Sequence, residues 1–327
     1  MLEIFRRNLF LNSLLLLPIT MLYRIKSFID PRVYIPSEHD TYLSRLIFQY
    51  FTDGKIQALL GCFIVFIQAM MLNRIVIKNS LSKEITLVTG LLYITFTSLL
   101  PQFIGLSPEL LANTFIIFVF GQLFKTYNTA EVASETYLSG FFVGVASLLY
   151  VPCILLILFT NLSLMIMRSY SVREKIQHFL GWITPFFLMM TFQYFIGYKK
   201  FIIPNDYFNQ WGLISIDFTK NFGTNGVLII VLLISIFFVF NINNFYQKTA
   251  NSIQKRISIL FWLMLFTAIM AIFFKYLGLS HMIIFCIPAS YFTCILLLRV
   301  KNKLFQELIY LSFLLVIIFV HLDFINF

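Results

Sequence analysis

Glu38, His39 and Asp40 stand together in a stretch that reads Asp30-Pro-Arg-Val-Tyr-Ile-Pro-Ser-Glu-His-Asp-Thr-Tyr-Leu-Ser-Arg. Adjacent carboxylates of this kind can take a proton from a hydroxyl as a general base, or hold a hard cation. One histidine adds little to the case for a metal, so none is assigned. Asp40 and Glu38 are the catalytic candidates. A plainer reading competes with this one: Ser37 or Asp40 caps the helix that follows, and Glu38 is merely solvated.

Four further residues are candidates for holding a substrate. Lys199 and Lys200 form a pair of point charges suited to a phosphate; the plainer reading is an anchor for a helix end at headgroup depth. Arg45 follows the acidic cluster by one helical turn. Glu109 comes after Ser107-Pro108, which is also the signature of a helix start, with Ser as N-cap, Pro at N1 and an acid in the first turn. Cys62, Cys153, Cys286 and Cys294 lie in apolar segments without metal spacing, and are given no role.

The elements that must position these residues are membrane spans. The chain is 60% hydrophobic and 12% charged, about half the charge of a soluble domain. Candidate spans fall at roughly 9–23, 56–73, 85–104, 109–124, 138–150, 152–167, 178–197, 226–242, 257–275, 281–298 and 305–322. The predicted fold is therefore all-α, a polytopic transmembrane bundle of about eleven spans forming one integral membrane domain over residues 1–327. The stretch 138–167 is too long for one crossing at about 1.5 Å per residue, and Pro152 sits near its middle. It reads as two short helices with a break between Tyr150 and Pro152. One long kinked helix is the alternative.

Charge supports that division. With eleven spans and a cytoplasmic N-terminus, fifteen of the 24 Lys and Arg residues fall in inside segments, among them Arg6, Arg7, Lys83, Arg168, Lys255 and Lys303. Most of the others lie in two long outside loops, about 24–55 and 198–225. Joining 138–167 into one span would put the Arg299-Val-Lys-Asn-Lys cluster outside. In the first of these loops Leu43, Leu46, Ile47 and Tyr50 recur at helical spacing. They predict a short amphipathic helix over Thr41 to Phe51 on the outer membrane surface, holding the acidic cluster at headgroup depth.

Much of the chain resembles a family of uncharacterised bacterial inner-membrane proteins. The likeness rests on Glu109-Leu-Leu-Ala-Asn-Thr-Phe-Ile-Ile-Phe-Val-Phe-Gly-Gln-Leu, on Tyr127-Asn-Thr-Ala-Glu, and on Gly181-Trp-Ile-Thr-Pro-Phe-Phe. A second, more distant likeness rests on Gly140-Phe-Phe-Val-Gly-Val-Ala-Ser-Leu-Leu-Tyr-Val-Pro. This resembles a stretch across two short helices in the C-type membrane glycosyltransferases, which use polyprenyl-phosphate sugars. That family places its acidic catalytic residue in the first outside loop, where Glu38 and Asp40 stand. Small residues spaced as Gly140 and Gly144 are also common wherever helices pack closely.

Several classes have no support. There is no Walker motif, no Gly-rich phosphate loop and no hydrolase signature. No chain of intramembrane carboxylates suggests a proton pump. The net charge of +10 sits in loops and signals topology, not nucleic acid. The resemblance implies an inner-membrane, glycosyltransferase-like protein of lipid-linked glycan or cell-envelope metabolism, with membrane lipid and a polyprenyl-phosphate sugar as partners and no identified cofactor. The alternatives are a lipid or small-solute transporter or flippase, and a non-catalytic membrane subunit of an envelope complex.

Overall fold

The computed structural model describes residues 2–321 except 8, 32, 38–39, 130, 170, 198–206, 208–209, 213–244, 247–248 and 275–277. The described residues form helices, with no strand among them. Those helices are α1 (Leu2–Arg6), α2 (Phe10–Leu14), α3 (Leu16–Tyr23), α4 (Lys26–Ile29), α5 (Tyr42–Tyr50), α6 (Gly54–Lys78) and α7 (Val88–Phe96). They continue with α8 (Pro108–Leu123), α9 (Ala133–Leu149), α10 (Leu156–Met167), α11 (Val172–Phe195), α12 (Asn251–Phe273), α13 (Cys286–Arg299) and α14 (Lys303–His321). Three of these, α6, α12 and α14, are long and apolar enough to cross a membrane, against the eleven spans expected.

The expected span at 85–104 shows why the numbers differ. Its helix α7 has only 9 residues, about 13 Å at 1.5 Å per residue. The hydroxyls of Thr95 and Thr97 bond back to the carbonyls of Leu91 and Tyr93 at the helix end. Leu100 is then forced extended ahead of Pro101, and a 3-10 turn at Pro101–Phe103 follows. Likewise the expected first span divides into α2 and α3. The expected span at 226–242 lies outside the described residues.

The chain divides into two compact units. The first comprises Met1–Tyr34, Phe51–Leu110 and Met282–Phe327, and the second Ile35–Tyr50 and Leu111–His281. In the first, α7 packs between α6 and α13. Its interior is threaded with hydrogen-bonded polar side chains. Tyr93 donates to the Gln68 side chain at 2.7 Å, Gln68 to the Leu110 carbonyl at 2.8 Å, and the Gly90 amide to Asn73 at 2.7 Å. At one end Lys303 meets Glu3 at 2.6 Å and Arg6 meets Glu84 at 3.1 Å. At the other end Arg24 is fully buried, and its guanidinium donates to the carbonyls of Thr97 (2.8 Å), Ile104 (2.9 Å) and Phe103 (3.0 Å). Those carbonyls belong to the interrupted stretch between α7 and α8, where no helix supplies donors.

In the second unit the break expected near Pro152 is present. Helix α9 ends at Leu149, Tyr150 is extended (φ −142°, ψ 110°), and a 3-10 turn over Val151–Leu155 leads into α10. The chain reverses there. Arg168, just beyond α10, donates to the Thr129 carbonyl, just ahead of α9, at 2.8 Å. Arg168 also pairs with Glu174 at 3.2 Å, beside the Ser171–Glu174 capping box that starts α11.

Helices α9 and α11 pack through glycine. A Cβ on Gly140 would strike the His178 carbonyl oxygen, and one on Gly181 the Tyr137 carbonyl oxygen. One on Gly144 would lie 2.9 Å from the Pro185 ring. The Gly140-x-x-x-Gly144 spacing is thus a close helix crossing. His178 is buried at this crossing. Its Nδ1 lies 3.1 Å from both the Thr136 carbonyl and the Ser139 hydroxyl, and its Nε2 lies 2.8 Å from the Thr160 hydroxyl of α10. A carbonyl can only accept, so Nδ1 carries the proton toward Thr136.

Candidate functional site

The site begins in the tight turn ahead of α5. The Ser37 amide donates to Asp40 Oδ2 at 2.6 Å and the Ser37 hydroxyl to the same oxygen at 3.2 Å, while the Asp40 amide returns to the Ser37 carbonyl. Neither Ser37 nor Asp40 caps the helix. That role falls to Thr41, whose Oγ1 accepts from the Ser44 amide at 3.2 Å. The same hydroxyl donates to the Leu149 carbonyl at 3.2 Å, so the cap also ties α5 to the open end of α9.

The expected helix is present as α5. Thr41, Ser44 and Phe48 are buried, while Leu43, Leu46 and Ile47 are half-buried and Tyr50 is 80% exposed. Two small hydroxyl residues let the α5 backbone come close to its neighbours, and Phe48 fills the space one turn on. Leu43 packs against a core of Leu148, Val151, Tyr207 and Phe274 at the helix break.

Other side chains complete the break. A helix that stops inside a protein leaves its last carbonyls without donors. At α9 the Tyr207 hydroxyl donates to the Ser147 carbonyl at 2.7 Å, beside the Thr41 bond to Leu149. The Tyr150 hydroxyl lies 3.0 Å from His281 Nδ1, and His281 Nε2 lies 3.1 Å from the Thr267 carbonyl. His281 is fully buried. The Trp211 ring lies tilted at 47° against Phe274, with ring centres 5.4 Å apart. Asp40 thus precedes a helix docked on a hydrogen-bonded platform, instead of hanging in a free loop.

Of the six candidate residues, Asp40 stands in the turn ahead of α5 and Arg45 on α5 itself. Arg45 is half-buried on α5. Glu109 lies in the other unit, buried in the first turn of α8, where Ser107 accepts from the Leu110 amide at 3.2 Å as the expected N-cap. Glu38, Lys199 and Lys200 lie outside the described residues. Among the described residues no group of three or more His, Cys, Asp or Glu side chains is assembled.

The sequence reading did not single out Arg24, Tyr150, His178 or His281. Arg24 counted only as a loop charge, because its partners are some 80 residues away. His178 left a legible trace: it shares a helical stripe with Gly181 and Pro185 at i+3 and i+7. His281 carries no such trace.

No curated protein and no solved structure matches the chain. Residues 41–326 do match a family of unknown function, DUF6427, and the chain belongs to that family.

Proposed function

We propose that this chain is an inner-membrane protein of lipid-linked glycan or cell-envelope metabolism, acting as a glycosyltransferase on a polyprenyl-phosphate sugar at the outer face. The carrying observation is the hydroxyl–carboxylate pair at the head of α5. Ser37 Oγ donates to Asp40 Oδ2 in the arrangement an acceptor hydroxyl would adopt before losing its proton. Docking of Thr41 on α9 keeps that carboxylate at a fixed place in front of the helix break. In this reading Asp40, or Glu38 beside it, deprotonates the acceptor. Arg45 with Lys199 and Lys200 holds the phosphate as it leaves.

The reading includes eleven crossings with a cytoplasmic N-terminus. Sorting of the loops within each unit supports it. Contacts of Glu3 with Lys303 and Arg6 with Glu84 join segments assigned to the inside. In the other unit Lys255 donates to the Met167 carbonyl at 3.2 Å and lies over the Tyr127 ring, again joining inside segments.

A second reading is a non-catalytic membrane subunit or a transporter. It is favoured by the same turn, because both Ser37 donors already occupy an Asp40 oxygen, as in a purely structural cap. Complementation of a deletion strain separates the two, together with transfer assays on purified protein and a synthetic polyprenyl-phosphate sugar. In the enzyme, Asp40→Asn or Glu38→Gln lowers turnover about 100-fold or more without loss of protein. Full complementation by both variants, alone and combined, would remove the enzyme reading.

A further inference from the structure

The first unit carries a second feature, at the end opposite Arg24. A cleft of about 480 Å³ opens there between the α1–α2 segment and the start of α14. Its volume falls within the roughly 300–1,000 Å³ of ordinary small-ligand sites. Arg6, Arg7 and Lys303 line it with the carboxylate of Glu3, and Arg6 is also paired with Glu84 at 3.1 Å. The turn that forms its floor is fixed by Asn12, whose amide donates to the Ile4 carbonyl at 2.6 Å and the Arg7 carbonyl at 2.9 Å.

The surroundings of the cleft are apolar on both sides. Leu9, Phe10 and Leu11 are exposed on the α2 side, and Leu304, Phe305 and Leu308 on the α14 side. Exposed aliphatic and aromatic side chains flanking a cationic notch match the two parts of a phospholipid, acyl chains beside an anionic headgroup. Helix α14 is itself of membrane-crossing length, which places its first residues at headgroup depth.

We infer that this cleft binds the phosphate headgroup of an anionic phospholipid between Arg7 and Lys303, with the acyl chains along Leu304 and Leu308. The site is separate from the α5 turn and does not depend on the activity proposed for it. Glu3 bonds Lys303 and competes with the lipid for it, so Glu3 sets how strongly the headgroup is held.

The test uses the purified full-length chain in neutral detergent, titrated with phosphatidylglycerol, with phosphatidylcholine and with inorganic phosphate. Lipid binding is read by native mass spectrometry and thermal stability. Phosphatidylglycerol is expected to bind and stabilise the wild type, and the other two to do neither. Each cation removed should weaken binding about five-fold, so Arg7→Gln with Lys303→Gln should weaken it about 25-fold. Glu3→Gln should tighten it about five-fold, which loss of a merely structural pair would not do. If the double variant yields no folded protein, Arg7→Gln alone and Glu3→Gln carry the test in opposite directions. Unchanged phosphatidylglycerol binding in the cation variants would overturn the inference. So would equal binding of phosphatidylcholine, equal stabilisation by inorganic phosphate, or weaker binding in Glu3→Gln.

Discussion

The Tyr150 hydroxyl lies 3.0 Å from His281 Nδ1 and closes the break between α9 and α10 against a residue 131 positions later. Since His281 Nε2 faces the Thr267 carbonyl, that nitrogen carries the ring proton, and Nδ1 must accept from Tyr150. Tyr150→Phe removes the only proton in this contact and leaves a buried acceptor. It is expected to cost about 1–3 kcal/mol. Thermal unfolding of purified Tyr150→Phe, His281→Ala and the double variant measures it. Additive losses would show that the two side chains do not interact.

The crossing of α9 and α11 tolerates no side chain at its glycines. Gly140→Ala and Gly181→Ala each drive a methyl into a carbonyl oxygen, and are expected to cost about 1–3 kcal/mol by overpacking. Gly278→Ala is the control, because its added carbon meets nothing closer than the Ser280 hydroxyl at 3.4 Å. Equal melting temperatures for all three variants would contradict the close crossing.

Arg24→Met leaves the Thr97, Phe103 and Ile104 carbonyls buried without this donor, at about 1–3 kcal/mol each. Little folded protein is expected. Arg24→Lys should recover only part of it, because a point ammonium cannot reproduce a planar fork serving three acceptors. Detergent-solubilised yield, measured by size-exclusion fluorescence, decides. Wild-type yield from Arg24→Met would show that water serves those carbonyls.

Membrane sidedness is tested by reporter fusions. A fusion after Lys303 is expected to report the cytoplasm and one at Phe327 the opposite side. Fusions after Thr129 and Arg168 should agree with Lys303, since Arg168 reaches the Thr129 carbonyl. A cytoplasmic Phe327 would break the eleven-span topology.

Acidification should release the competitor in the α1–α14 cleft. The hydrogen bond and charge of Lys303 hold the Glu3 carboxyl below its ordinary 4.5. A lowered value means that the pair persists above the ordinary range and is lost as pH falls through the lowered one. Phosphatidylglycerol binding by the wild type should therefore approach that of Glu3→Gln only below the ordinary 4.5. Convergence already at about pH 6 would mean that Lys303 does not hold Glu3.

What was legible in the chain depended on how far apart the cooperating residues are. Pro152 disfavours a helical Val151 and removes a donor, so the reversal at Tyr150 could be placed locally. Ser107 and Pro108 likewise announced the start of α8, and α14 was placed to within two residues at each end. The early end of α7 was missed, because hydropathy does not register threonines bonding back to their own helix. The packing of α5 on α9 was not legible, because Ser44 reads as polar, while its small size is what lets that side approach α9. The cap at Thr41 and the latch at Arg24 each depend on a carbonyl about 80 or more residues away, beyond any local pattern.

The Arg24 latch also bears on how the protein is made. Its acceptors lie as far along the chain as Ile104. When the first helices emerge during synthesis, the guanidinium has no carbonyl cluster to enter and must stay in water or among headgroups. Only after about 80 further residues have followed can it move inward and lock. Until then the α2–α3 segment remains provisional, and a nascent chain stalled before Ile104 would present it unlocked to insertion and quality-control machinery.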